Sequence, residues 1–120
     1  MKRVAGSTLE DIRRIALSFD NVVEVSWHGT AGFKVSGKLF AREHQDRVSL
    51  VVGTTFEERE ALMSEDPETY YITDHYQNYP YVLVGISRVH PDALRDLMTR
   101  ARNLASKQPA SKPRPRQRTD

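Results

Sequence analysis

Two stripes of apolar residues at helical spacing, one near each end of the chain, limit most strongly what this sequence can fold into. The first stripe consists of Leu9, Ile12, Ile15, Ala16 and Phe19, and the second of Leu94, Leu97, Met98, Ala101 and Leu104. Residues that recur every three or four positions lie on one face of an α-helix, and an apolar face must be buried against a second layer. Ser7 and Glu10 have capping-box spacing and predict the start of the first helix, whereas Pro91 suits the start of the last one.

Short runs of β-type residues lie between these two helices. Four runs lie within residues 22–52 and two more within residues 70–86. The pair Ser36-Gly37 predicts a two-residue hairpin turn, because glycine adopts the positive φ that such turns require. A three-residue loop at the same place would sort the apolar and polar residues better onto separate faces, so the register stays open here.

A third, shorter helix is predicted after the fourth β-run. Thr55 and Glu58 repeat the capping-box spacing, and Pro67 ends the helix because it disfavours helical geometry in the preceding residue. The apolar side of this helix is predicted to consist of Phe56, Leu62 and Met63.

This order of elements predicts an α+β domain. The strands follow one another with tight turns, so we expect a mainly antiparallel sheet with the N- and C-terminal helices on one face, a two-layer sandwich. The 120 residues suit one domain, which we place at residues 1–106. Residues 107–120 are rich in proline and basic residues without an apolar period, which predicts a disordered tail.

The positive charge of the chain is concentrated in that tail. Its basic residues are Lys107, Lys112, Arg114, Arg116 and Arg118, and its one acidic residue is Asp120, a net charge of +4. Of the 18 basic and 16 acidic residues in the chain, 13 and 15 remain in residues 1–106, a net charge of −2. The overall pI of about 9.0 therefore describes the tail, and the tail is the predicted electrostatic contact with nucleic acid.

Several kinds of chemistry are excluded by composition. The chain has no cysteine, which removes disulfides, cysteine-ligated zinc and thiol nucleophiles and suits a reducing cytoplasm. We expect a cytoplasmic protein without a membrane partner, because no apolar run approaches the ~18 residues of a membrane span and the first residues lack a signal region. A monomer is favoured, but the residues leave the oligomeric state open. The four histidines, at positions 28, 44, 75 and 90, share no metal-ligand spacing, so no metal or other cofactor is predicted.

Two aromatic segments carry a family likeness. Residues 27–35 contain Trp-x-Gly followed by Phe33 and Lys34, and residues 70–82 contain Thr-x-His-Tyr followed by Tyr-Pro-Tyr-Val. The stretches Gly-Lys-Leu-Phe-Ala at 37–41 and Asp-Pro-Glu-Thr-Tyr at 66–70 accompany them. In order and spacing, these segments resemble the signatures of the MmcQ/YjbR family over residues 9–104.

The resemblance implies a frataxin-like (CyaY-like) fold and a proposed role in DNA binding through wing-like hairpins. It supplies no catalytic residues for this chain. On this sequence the wing would be the hairpin around Ser36-Gly37, whose cations Lys34, Lys38 and Arg42 would contact phosphates. We therefore predict a non-enzymatic protein that binds DNA weakly and largely without sequence preference, through the tail and this hairpin.

Two other functions remain open from the sequence. Trp27, His75 and Tyr76 could line a pocket for a small ligand or a reaction, since a histidine beside a carboxylate such as Asp74 can act as a general base. For Trp27 the residues favour a core position at the end of a strand, because strict alternation places the apolar Val23 and Val25 on its face. The third function is a protein-interaction module that uses the open face of the sheet.

Overall fold

The chain folds into one antiparallel sheet covered on one face by helices, as seen in a computed structural model that describes residues 6–107. The elements are α1 (Leu9–Ser18), β1 (Val22–Trp27), β2 (Thr30–Val35), β3 (Lys38–Glu43), β4 (Ser49–Gly53), α2 (Phe56–Glu65), β5 (Tyr70–Tyr71), a 3₁₀ turn (Asp74–Tyr76), β6 (Tyr81–Gly85) and α3 (Pro91–Lys107). The strand order is β1-β2-β3-β4-β6-β5, and every neighbouring pair is antiparallel. The predicted α+β two-layer fold is confirmed.

The core lies between the helices and one face of the sheet. Both predicted apolar stripes contribute to it, with Ile12 and Ile15 of α1 and Leu94, Leu97 and Met98 of α3 almost fully buried. The strands contribute alternate residues, among them Phe33, Leu50, Val52, Val82 and Val84. The opposite face of the sheet is called the open face below.

The first helix begins one residue later than predicted. Thr8, not Ser7, is the N-cap: its hydroxyl accepts the Asp11 N–H at 3.1 Å, and the Asp11 carboxylate accepts the Thr8 N–H at 2.9 Å. Ser7 is buried instead, and its hydroxyl donates to the Val89 carbonyl at 2.8 Å. A Cβ at Gly6 would lie 1.8 Å from the Ser87 carbonyl oxygen, so only glycine permits this close approach of the N-terminal segment.

The hairpin of β2 and β3 has the predicted two-residue turn. Val35 pairs with Lys38, and Ser36 and Gly37 both have positive φ, 52° and 78°. Without a bulge, this register would place Arg42 on the same face as Phe33 and Val35. A bulge prevents this: Lys34 pairs with Leu39, but Phe33 pairs with Ala41, so that Phe40 is an extra residue on β3. The alternation of β3 is thereby reversed, and Arg42 lies on the open face.

The buried face predicted for β1 is wrong. Val23 is 56% exposed and Val25 is only half-buried, because they lie on the open face, where no helix packs. Lys107, assigned above to the tail, is the last residue of α3. Within residues 6–107, no helix has the length and apolar character needed to span a bilayer.

Asp46 organises the turn between β3 and β4. Its carboxylate accepts the N–H groups of Val48 and Ser49, both at 2.9 Å, and the Ser49 hydroxyl at 2.9 Å. Partial burial raises the pKa of the Asp46 carboxyl, but these hydrogen bonds and the nearby His44 outweigh burial and bring the pKa below its usual value. The ionised carboxylate therefore stabilises the folded state.

We expect Asp46→Ala to lower the free energy of unfolding by about 1–2 kcal/mol at neutral pH, because the N–H groups of Val48 and Ser49 and the Ser49 hydroxyl lose their acceptor. A depressed pKa in the folded state gives stability that is present above the unfolded-state value of about 3.9 and is lost as the pH falls. Urea unfolding at neutral pH and near pH 3 should show the gap between wild type and variant shrinking in acid. A gap that stays constant or widens would contradict this role.

Candidate nucleic-acid interface

The three cations of the β2–β3 hairpin lie on two faces of the sheet. Lys34 and Arg42 share the open face with Leu39, in accordance with the register set by the bulge. Lys38 pairs with Val35 and borders a cavity on the helical side, next to Ala101 and Leu104 of α3. The hairpin therefore presents its positive charge around both sides of its tip rather than as a patch on one face.

The side chains of Lys34, Lys38 and Arg42 have no acidic partner, unlike most of the arginines outside the hairpin. Among residues 6–107, no carboxylate lies within 4.0 Å of the charged groups of Lys34, Lys38 or Arg42, whereas six of the eight arginines outside the hairpin have such a partner. Arg13, for example, contacts Glu24 at 3.0 Å. The charge of the hairpin is thus available to an external anion.

The C-terminal end of α3 lies at the same end of the molecule as the hairpin tip. Lys38 and the α3 residues Ala101, Leu104 and Ala105 line one cavity of about 380 Å³. Arg102 donates to the carbonyl oxygen of Asp20, two residues before Val22, which begins β1 and pairs with Val35. The C-terminal end of α3 therefore lies beside the hairpin. The predicted contacts Lys112, Arg114, Arg116 and Arg118 lie outside the described residues.

Residues 73–80, called the aromatic loop below, cover part of the open face. Tyr76 is buried and packs with Val51 and Leu83, on strands β4 and β6. The ring of His75 contacts that of Tyr76 edge-on, with 4.7 Å between centroids, and lies 6.1 Å from that of Tyr79. Tyr79 is 54% exposed, so the loop buries the ring of Tyr76 and leaves those of His75 and Tyr79 exposed to solvent.

Arg59 of α2 holds the backbone of this loop. It is the only buried residue of α2, and its guanidinium donates to the carbonyl oxygens of Tyr76, Tyr79, Tyr81 and Gln77, at 2.9, 2.8, 3.3 and 3.1 Å respectively. Phe56, predicted as an apolar core contact of this helix, is 46% exposed and stacks near the guanidinium, 4.9 Å from its central carbon. The predicted inward face of α2 is thus wrong for Phe56.

Sequence reasoning missed Arg59 because an arginine in the polar run Glu57–Glu60 has the pattern of a solvated helix surface. The four carbonyl groups that it binds lie 17 to 22 residues further along the chain, so no local spacing connects them with the arginine. The only available signal was the loop itself, whose carbonyl groups need donors and which contains no regular strand or helix long enough to supply them.

Arg42 connects the hairpin to the aromatic loop. Its guanidinium donates to the hydroxyl of Tyr76 and, at 3.4 Å, to the carbonyl oxygen of Glu43. Arg42, His75 and Tyr76 line a second cavity, of about 330 Å³, whose other lining residues are Leu39, Phe40, Ala41, Val51 and Tyr81. The structure therefore brings together one predicted wing residue and two predicted pocket residues.

The backbone of Trp27 lies in the edge strand β1, which β2 separates from β3, the strand that lines the cavity. No hydrogen bond within residues 6–107 joins Asp74 to His75, although a histidine base commonly needs such an orienting carboxylate. In the same part of the chain, no group of three or more histidine and acidic side chains could hold a metal ion.

Comparison with known proteins gives a family match and a fold match. The model of the YjbR family matches residues 17–104. The crystal structure of Deinococcus radiodurans protein DR2400, a DUF419 domain, is similar with a TM-score of 0.75 at 21% identity, covering 93% of this chain and 87% of that one. No curated protein matches the chain in sequence.

Proposed function

This chain belongs to the YjbR family, and from that premise we propose that it is a non-enzymatic DNA-binding protein with weak contacts that are largely independent of sequence. The observation that carries the proposal is the set of hairpin cations, Lys34, Lys38 and Arg42, without acidic partners among residues 6–107. Phosphate groups are the anions that such dispersed lysine and arginine side chains bind in nucleic acids.

The end of α3 supports the same function. It lies beside the hairpin tip, and the sequence that follows it contains the cations at 112, 114, 116 and 118. Prolines between them favour an extended chain, which can follow a phosphate backbone. The body itself is acidic: residues 6–107 contain 12 basic and 15 acidic residues, so long-range repulsion keeps the binding weak.

A salt titration tests the proposal. Each phosphate contact contributes about −0.9 to the slope of log K against log salt for duplex DNA. We expect the double variant Lys34→Gln/Lys38→Gln to reduce the steepness of this slope by about 1.8, and neutralisation of the four cations at 112, 114, 116 and 118 to reduce it by up to about 3.6. Fluorescence anisotropy with a labelled duplex, from about 25 to 200 mM salt, measures both changes.

The matched control is Arg14→Gln/Arg88→Gln. It removes the same charge from two exposed arginines that pair with Asp11 and Glu68 and lie outside the hairpin. The control should leave the slope unchanged. Equal effects of the control and the hairpin variant would show that only net charge matters, and a wild-type chain that binds neither duplex nor single-stranded DNA at low salt would refute the proposed function.

A further inference from the structure

The cavity between strand β3 and the aromatic loop combines a cation with several aromatic rings. Arg42 is the one charged side chain of its lining besides the titratable His75, and the lining contains no carboxylate. Tyr76 and Tyr81 meet edge-on with 6.0 Å between ring centroids, and His75 packs against Tyr76 from the exposed side. Such a site attracts a flat ring system that carries or adjoins negative charge.

The walls of this cavity are fixed before any ligand arrives. Arg59 binds the backbone carbonyl groups of Tyr76, Tyr79 and Tyr81, and Arg42 binds the hydroxyl of Tyr76. A loop held in this way loses little conformational freedom on binding, which favours recognition of a small, defined group. A buried guanidinium committed to a surface loop is consistent with a need for that rigidity.

The size of the cavity indicates one base rather than a groove of a double helix. Its volume of about 330 Å³ is at the lower end of the range for ligand pockets, about 300–1,000 Å³. A base inside a duplex is stacked and paired, so its ring faces are not accessible to a pocket of this kind. An unpaired base in a single strand offers its faces freely, and stacking on aromatic side chains tolerates any sequence.

The charges nearby indicate a base that belongs to a strand rather than a free nucleotide. Lys34 is on the same face of the sheet and pairs with Leu39, which lines the cavity. Lys34 and Arg42 therefore lie on the open face of the same hairpin, where each can contact a different phosphate of one backbone.

We propose that this cavity takes an unpaired base of single-stranded nucleic acid, with Arg42 and Lys34 contacting the adjoining phosphates. The inference rests on the proposed function and specifies its preferred substrate, single strands over duplexes. His75 and Tyr79 stack on the bound strand, and Arg59 is a positioning residue that acts through the loop.

Binding of three labelled DNAs to the full chain tests this preference. The DNAs are an oligothymidylate of about 12 nucleotides, an abasic strand of the same length and charge, and a duplex of that length. We expect the oligothymidylate to bind about tenfold more tightly than the abasic strand, since only the former has bases that stack on the aromatic side chains. The variant His75→Ala/Tyr79→Ala should bring this ratio close to one while leaving the salt dependence unchanged.

The control His90→Ala removes an exposed imidazole at the start of α3 and should leave the ratio intact. Equal affinity of wild type for the oligothymidylate and the abasic strand would overturn the inference and leave phosphate binding in place. Tighter binding of the duplex than of the single strand would overturn it too, as would displacement of the strand by thymidine monophosphate at equal concentration. Absence of binding to all three DNAs would overturn the proposed function as well.

Discussion

Replacement of Arg59 by methionine is expected to lower the free energy of unfolding by at least about 3 kcal/mol. The side chain is 4% exposed and donates to four backbone carbonyl groups of residues 76–81. Each hydrogen bond to a charged group contributes about 1.5–3 kcal/mol, and the loss of the donor leaves buried acceptors without partners. Since the total stability of a domain is roughly 5–15 kcal/mol, the loss is a large share of it.

Urea unfolding measures this change, and Arg95→Met is the matched control because Arg95 is exposed on α3. The control should alter the stability by less than about 0.5 kcal/mol. Arg59→Lys retains the charge, but a single ammonium group cannot reach four carbonyl groups that a planar guanidinium spans, so it should recover less than half of the loss. A change below about 1 kcal/mol for Arg59→Met would show that the loop is held by its aromatic packing instead.

Phe33→Ala is the second substitution with a large expected effect, a loss of about 3–5 kcal/mol. Phe33 is fully buried in the helical face of β2, within the core cluster that contains Ile12, Ile15 and Met98. Its removal leaves a cavity that the close-packed sheet and helices can only partly close. Thermal and urea unfolding should both show the loss.

Val48→Ala is the control for an apolar truncation at the surface, since Val48 is 62% exposed in the turn between β3 and β4. It should change the stability by less than about 0.5 kcal/mol. A Phe33→Ala variant as stable as Val48→Ala would contradict the burial of Phe33 in the core.

The parts of the fold that were predictable are those that depend on local patterns. The stripes of α1 and α3 place Ile12, Ile15, Leu94 and Leu97 in the core, because helical periodicity alone decides which face of an amphipathic helix is apolar. The turn at Ser36-Gly37 was equally local, since its positive φ angles suit few residue types. Thr55 likewise caps α2, by accepting the Glu58 N–H at 3.0 Å.

The candidate interface was only partly predictable. Sequence reasoning identified Lys34, Lys38 and Arg42 as members of one hairpin, but the position of Arg42 on the open face, beside Lys34, depends on the bulge at Phe40 and Ala41. It also grouped Trp27 with His75 and Tyr76 from their chemistry, although the strand order puts the β1 backbone at the far edge of the sheet from β6. Residue type does not report which strands are neighbours.

The sequence by itself determined the order of helices and strands, the two helical faces of the core and the concentration of positive charge after α3. These properties depend on residues that are only a few positions apart, so the sequence alone shows their spacing. Only the tertiary structure decided that Arg59 is buried beneath residues 76–81, that Arg42 reaches Tyr76, and that α3 ends beside the hairpin. Those contacts join residues 17 or more positions apart, and their free energy depends on burial and partner geometry, which exist only once the sheet and helices have packed.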